Sequence, residues 1–126
     1  MTQLVVGVGG AVGALSRYYA IGWAQALAGT GFPWGTLTVN VTGSFALGFV
    51  LVWLQSMAPS PDVRDLVAVG FLGSFTTFST FSYEALALLR EGAWWRAGGY
   101  TLGSVVVCVL ACAAGAALAS ALTSRA

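Results

Sequence analysis

The sequence predicts an all-α membrane protein of four transmembrane helices, and three observations carry that prediction. Of the 126 residues 58% are hydrophobic and 7% charged, the mean hydropathy is +0.85, and there is neither lysine nor histidine. A soluble domain of this size needs a charged surface that such a composition cannot supply. The apolar residues fall into four runs, at 4–27, 34–55, 66–89 and 94–122, each near or above the ~20 residues that cross a bilayer. The breaks at 29–33, 56–64 (with Pro59 and Pro61) and 90–92 have turn and helix-stop compositions. One domain over residues 1–126 is expected.

The first run lacks a basic leader and a cleavage site, so it is expected to stay as a span. Its Gly7-Val8-Gly9-Gly10-Ala11-Val12 stretch superficially suggests a dinucleotide fingerprint. Val12 stands where the third small residue belongs, and no βαβ unit surrounds it, so that meaning is rejected. Instead Gly9 and Gly13, Gly10 and Ala14, Gly99 and Gly103, and Ala111 and Gly115 recur at four-residue spacing, which lets helix backbones approach closely in lipid. Trp34, Trp53, Trp94 and Trp95 fall near run ends, where indoles settle at the interface. Asn40-Val41-Thr42 matches a glycosylation acceptor but lies inside a span, where it carries no weight.

Charge removes several function classes. A net charge of +1 leaves no basic patch for nucleic acid. No histidine is present, and Asp62, Asp65, Glu84 and Glu91 form no acid pair, so no catalytic set exists and the chain is not expected to be an enzyme. Cys108 and Cys112 lie one turn apart but lack the further ligands of a zinc site, which makes them small hydrophobes. An even helix count puts both termini on one side. Arg64 and Arg125 then balance Arg90 and Arg96, with Arg17 inside the first span. That balance gives no strong positive-inside preference, as insertion in both orientations would need.

Function is written most plainly at 70–84, Gly-Phe-Leu-Gly-Ser-Phe-Thr-Thr-Phe-Ser-Thr-Phe-Ser-Tyr-Glu. Seven hydroxyls there find no partners in hydrocarbon beyond their own backbone, so they are expected to line a helix interface, an ion site or a pore. Phe78 and Phe81 share a helix face. Their ring edges are electropositive and can stabilise an anion, while hydroxyl and amide donors such as Ser79, Asn40 and Ser104 replace its water. The alternative is that both rings pack the bundle and the hydroxyls bond carbonyls four residues back. Gly70, Gly73, Thr76 and Thr77 favour a helix break in mid-membrane, whose free carbonyls would suit a cation. A continuous helix with contact glycines is the rival.

Together with 35–45 (Gly-Thr-Leu-Thr-Val-Asn-Val-Thr-Gly-Ser-Phe) and 9–18 (Gly-Gly-Ala-Val-Gly-Ala-Leu-Ser-Arg-Tyr), this stretch resembles the CrcB/Fluc fluoride channels over essentially the whole chain. The resemblance implies a fluoride-selective channel in the plasma (inner) membrane of a bacterium, passively exporting cytoplasmic fluoride. It implies an antiparallel, dual-topology homodimer with two pores, surrounded by lipid. Phe78 and Phe81 would be the pore phenylalanines, Asn40 the pore asparagine, and Ser79, Thr80 and Glu84 a polar track beyond the rings. Tyr100 and Ser104 would lend hydroxyls from the fourth helix, with Cys108 where a further hydroxyl is expected. Arg17 would sit at the vestibule. Carbonyls of Gly73 and Thr76 would hold a structural Na⁺ at the dimer centre.

Two other classes remain open from the residues. A proton-coupled small multidrug exporter has the same size but needs a carboxylate midway along the first helix, where only Arg17 is charged. A non-transporting assembly subunit would leave the 70–84 pattern without a reason.

Overall fold

The computed structural model describes residues 2–124, and four helices in it are long and apolar enough to cross a membrane. Arg125, counted in the charge balance above, lies outside the described residues. Helix α1 (Thr2–Ala28) stops at Gly29, whose φ of 91° only glycine adopts readily. Helix α2 (Trp34–Met57) follows after a tight loop, with no side chain of its own capping its start. Gln25 fills that gap. Its Nε2 donates to the carbonyls of Gly29 and Phe32 (2.9 Å to the latter), and its Oε1 accepts the Gly35 N–H at 3.0 Å. One amide thus satisfies backbone groups at the end of one span and the start of the next.

The third span, Pro61–Arg90, departs most from a plain rod. Pro61 begins α3 (Pro61–Arg64) at the position where its missing N–H costs nothing. The chain then widens into a π-type helix over Asp65–Leu72, a winding the sequence does not announce, and returns to α4 (Gly73–Phe75). Thr76 (φ −85°, ψ 159°) and Thr77 (φ −149°, ψ 119°) are extended, and α5 (Phe78–Arg90) starts afresh. The break expected in mid-membrane is therefore present, and it falls on the two β-branched threonines. Gly70 has the rival role of contact glycine, since a Cβ there would lie 2.9 Å from the Val6 carbonyl oxygen. After Gly92 (φ 74°), α6 (Trp94–Thr123) closes the bundle.

Glycines set the helix spacing. Gly9 and Gly13 seat α1 on the backbone of Leu66 to Phe71, while Gly48 and Gly115 interlock α2 with α6. A Cβ at Gly115 would run into the Phe45 carbonyl oxygen, and one at Gly48 into that of Cys112. Gly99 and Gly103 differ from expectation: nothing lies within 4 Å of a Cβ at either, so that pair makes no seam inside the chain. Gly115→Val should force α2 and α6 apart and destabilise by about 1–3 kcal/mol or more, whereas Gly7→Ala, which meets open space, should be silent. Thermal unfolding in detergent checks both.

Candidate functional site: the break in the third span

Two extended residues in mid-membrane leave backbone groups that lipid cannot satisfy. The side chains of two other helices supply the partners. Asn40 on α2 lies against Thr77 and pairs with it twice: Nδ2 donates to the Thr77 carbonyl at 2.9 Å, and Oδ1 accepts the Thr77 N–H at 2.8 Å. Arg17 on α1 donates from its guanidinium to the Thr76 carbonyl at 3.2 Å. Thr77 itself caps α5, its hydroxyl oxygen accepting the Thr80 N–H at 3.2 Å.

Beside the break is a cavity of about 250 Å³. Asn40 and Ser44 of α2, Thr76, Thr77, Phe78 and Phe81, and Ser104, Val105 and Cys108 of α6 are among its lining residues. The Phe78 and Phe81 rings lie 5.4 Å apart at 45°, and Phe81 contacts the Tyr100 ring at 5.1 Å. Phe81 is buried, but Phe78 is 76% exposed in the single chain. The Ser104 hydroxyl is buried and has no hydrogen-bond partner among the described residues. An orphaned buried hydroxyl costs about 1–3 kcal/mol, which favours any polar partner that can reach it.

A second polar group sits one turn further along α5. Glu84 accepts from Thr36 Oγ1 at 2.8 Å on one carboxyl oxygen and from the Tyr100 hydroxyl at 2.7 Å on the other. Tyr100 and Thr36 are almost fully buried. Glu84 also borders a separate opening with Gln25 and Glu91.

The expected site residues are thus sorted into neighbouring places. Phe78, Phe81, Asn40 and Ser104 share the cavity, with Tyr100 behind Phe81. Thr80 and Arg17 face a groove along α1 with Tyr18 and Trp23. Ser79 is exposed, its hydroxyl 3.3 Å from that of Thr77. Gly73 begins α4; the N–H that a continuous helix would offer its carbonyl, that of Thr77, goes to Asn40. Several hydroxyls do follow the bland alternative. Thr76, Ser82 and Thr42 each donate to a carbonyl four residues back. Thr36 and the capping role of Thr77 went unremarked in the sequence. Their signal is a stripe: Thr36, Asn40 and Ser44 on α2 succeed one another at i+4, as Tyr100, Ser104 and Cys108 do on α6.

The arrangement has counterparts. The family model described as CrcB-like protein, Camphor Resistance (CrcB), matches residues 4–116. The chain belongs to the CrcB family. The "Fluoride-specific ion channel FluC" of Hahella chejuensis is 47% identical over 114 residues, 90% of each chain. Proteins of the same name from Geobacter sulfurreducens (46%; 90% of this chain, 93% of the relative) and Rhizobium meliloti (47%; 91% and 93%) are equally similar. These relatives, each from a bacterium, are named as ion channels, and the family is one of channels rather than enzymes. The four spans and the family together make this chain a multi-pass membrane protein.

Proposed function

We propose that the chain conducts fluoride passively out of the cytoplasm of a bacterial cell, through two pores in an antiparallel homodimer in the inner membrane. The observation that carries this is the cavity at the break in the span, lined by the Phe78 and Phe81 rings, Asn40 and Ser104, whose hydroxyl has no partner among the described residues. A small halide gives up part of its water to enter a cavity walled largely by apolar side chains. Ring edges and neutral donors replace that water without a full positive charge, so the ion is held weakly enough to leave. Arg17, the charged group nearby, is engaged with the Thr76 carbonyl rather than open to the cavity. It serves the break first, and any vestibule role comes second. Thr80, Ser79 and the Thr36–Glu84–Tyr100 group continue the polar surface beyond the rings.

A second copy suits the exposed faces. Phe78 stands 76% exposed beside the cavity, and four helices are too few to surround a pore by themselves. Two copies facing opposite ways would bring the breaks together across a two-fold axis. The carbonyls of Gly73 and Thr76 are hard oxygen donors of the kind Na⁺ prefers, and unwound spans supply such donors. One chain offers only two, and the Thr76 carbonyl is shared with Arg17, so Na⁺ would need both copies. Bound there, it would offset the repulsion between facing carbonyl dipoles.

A proton-coupled exporter is disfavoured, since α1 carries no carboxylate. Purified protein in liposomes should release fluoride equally with and without a pH gradient and should accumulate no lipophilic cation. Gradient-driven cation uptake without fluoride release would reverse the assignment.

A further inference from the structure

We infer that Cys108 is a water-reachable thiol on the wall of the Phe78–Phe81 cavity, and that a small thiol-reactive electrophile bonded to it closes the fluoride path. The inference rests on the proposed function and adds a control point to that same site.

Tyr100, Ser104 and Cys108 lie on one face of α6, each a turn beyond the last. Cys108 is a free, half-buried thiol that lines the cavity together with Ser104, Asn40 and Phe81. The second observation is independent of the cysteine. Ser104 is 5% exposed and lines the same cavity, and its hydroxyl has no partner among the described residues. A lipid tail cannot satisfy that hydroxyl; water or an anion can. The cavity of about 250 Å³ has room for several waters, each taking roughly 30 Å³ in the liquid.

Water beside the sulfur is what brings a polar reagent to it, and the thiolate is the nucleophile that reacts. Cys112, one turn on, is the internal comparison. It does not line the cavity; its sulfur and carbonyl lie against Gly48 of α2. With 2-aminoethyl methanethiosulfonate, the Cys108 thiolate attacks the reagent's sulfenyl sulfur. A protein–reagent S–S bond forms, the reagent's own S–S bond breaks, methanesulfinate leaves, and the thiol proton goes to water. The adduct places an ammonium group next to Asn40 and Phe81, occupying space and fixing a positive charge that would hold an anion in place.

The test treats the protein in liposomes with this reagent, then reads fluoride efflux and the mapped mass of the adduct on the same samples. The expected result is one adduct, on Cys108, an efflux lowered by about tenfold or more, and recovery after dithiothreitol. Cys112→Ser should respond like the parent, and Cys108→Ser should keep whatever efflux it has. The inference is overturned by absence of an adduct on Cys108, by an adduct there with undiminished efflux, or by equal inhibition of Cys108→Ser. Untreated protein that releases no fluoride would defeat the proposed function instead, while adduct mapping would still decide whether the thiol is reachable.

Discussion

Asn40→Ala is expected to bring fluoride efflux down to the level of empty liposomes and to lower stability at the same time. Its carboxamide is the partner of both the N–H and the carbonyl of Thr77. Removing it strands two backbone groups inside the membrane, each at about 1–3 kcal/mol. The break would either rewind, moving Phe78 and Phe81 off the cavity, or admit water that erases selectivity. Asn40→Asp should fail as well, for a different reason. An aspartate carboxylate still accepts the Thr77 N–H but offers no donor to the Thr77 carbonyl, and it sets a negative charge on the proposed anion path. Thr42→Val is the matched comparison on the same helix. Among the described residues Thr42 bonds only within α2, to the carbonyls of Thr38 and Val39, so the variant's efflux should stay close to the parent's. Efflux measured with a fluoride electrode, alongside thermal unfolding, checks all three.

Phe78→Ile and Phe81→Ile should both cut fluoride efflux by about 10–100-fold, because an aliphatic side chain fills space but has no electropositive edge. Their structural costs should differ. Phe78 is 76% exposed in one chain, so its replacement should leave the fold of the chain intact. Phe81 is 6% exposed and packs on Tyr100, so losing its ring should also lower the unfolding temperature. A flux loss in Phe78→Ile with unchanged unfolding separates the aromatic contribution from packing. Parent-like efflux in both variants would remove the rings from the mechanism.

The sequence made the four spans legible because lipid demands long apolar runs, and their observed limits lie within a few residues of the expected ones at all but one end. The exception is the start of the third span, at Pro61 rather than residue 66. There a proline that reads as a stop serves as the first helical residue, and the following turns take the wider π-type winding. The break was visible in Thr76 and Thr77. Local propensity could not say which groups would satisfy it, because Asn40 and Arg17 reach it across 37 and 59 residues of chain. Phe78 and Phe81 were legible as a shared face. Their polar partners were less so, since a hydroxyl that bonds its own helix, as Ser82 does, looks the same in sequence as one left open, as Ser104 is. The expected Gly99–Gly103 seam shows the complementary limit. Small-residue spacing marks where a backbone can approach, and here no backbone of the same chain does.

The proposed fluoride path accepts the ion through ring edges and neutral donors in place of water. The most direct measurement is efflux of fluoride and of chloride from the same liposomes, each loaded with one anion and started with a potassium ionophore. Fast fluoride release with chloride retained is the predicted result. Chloride release at a comparable rate, or retention of both anions by correctly folded protein, would contradict it.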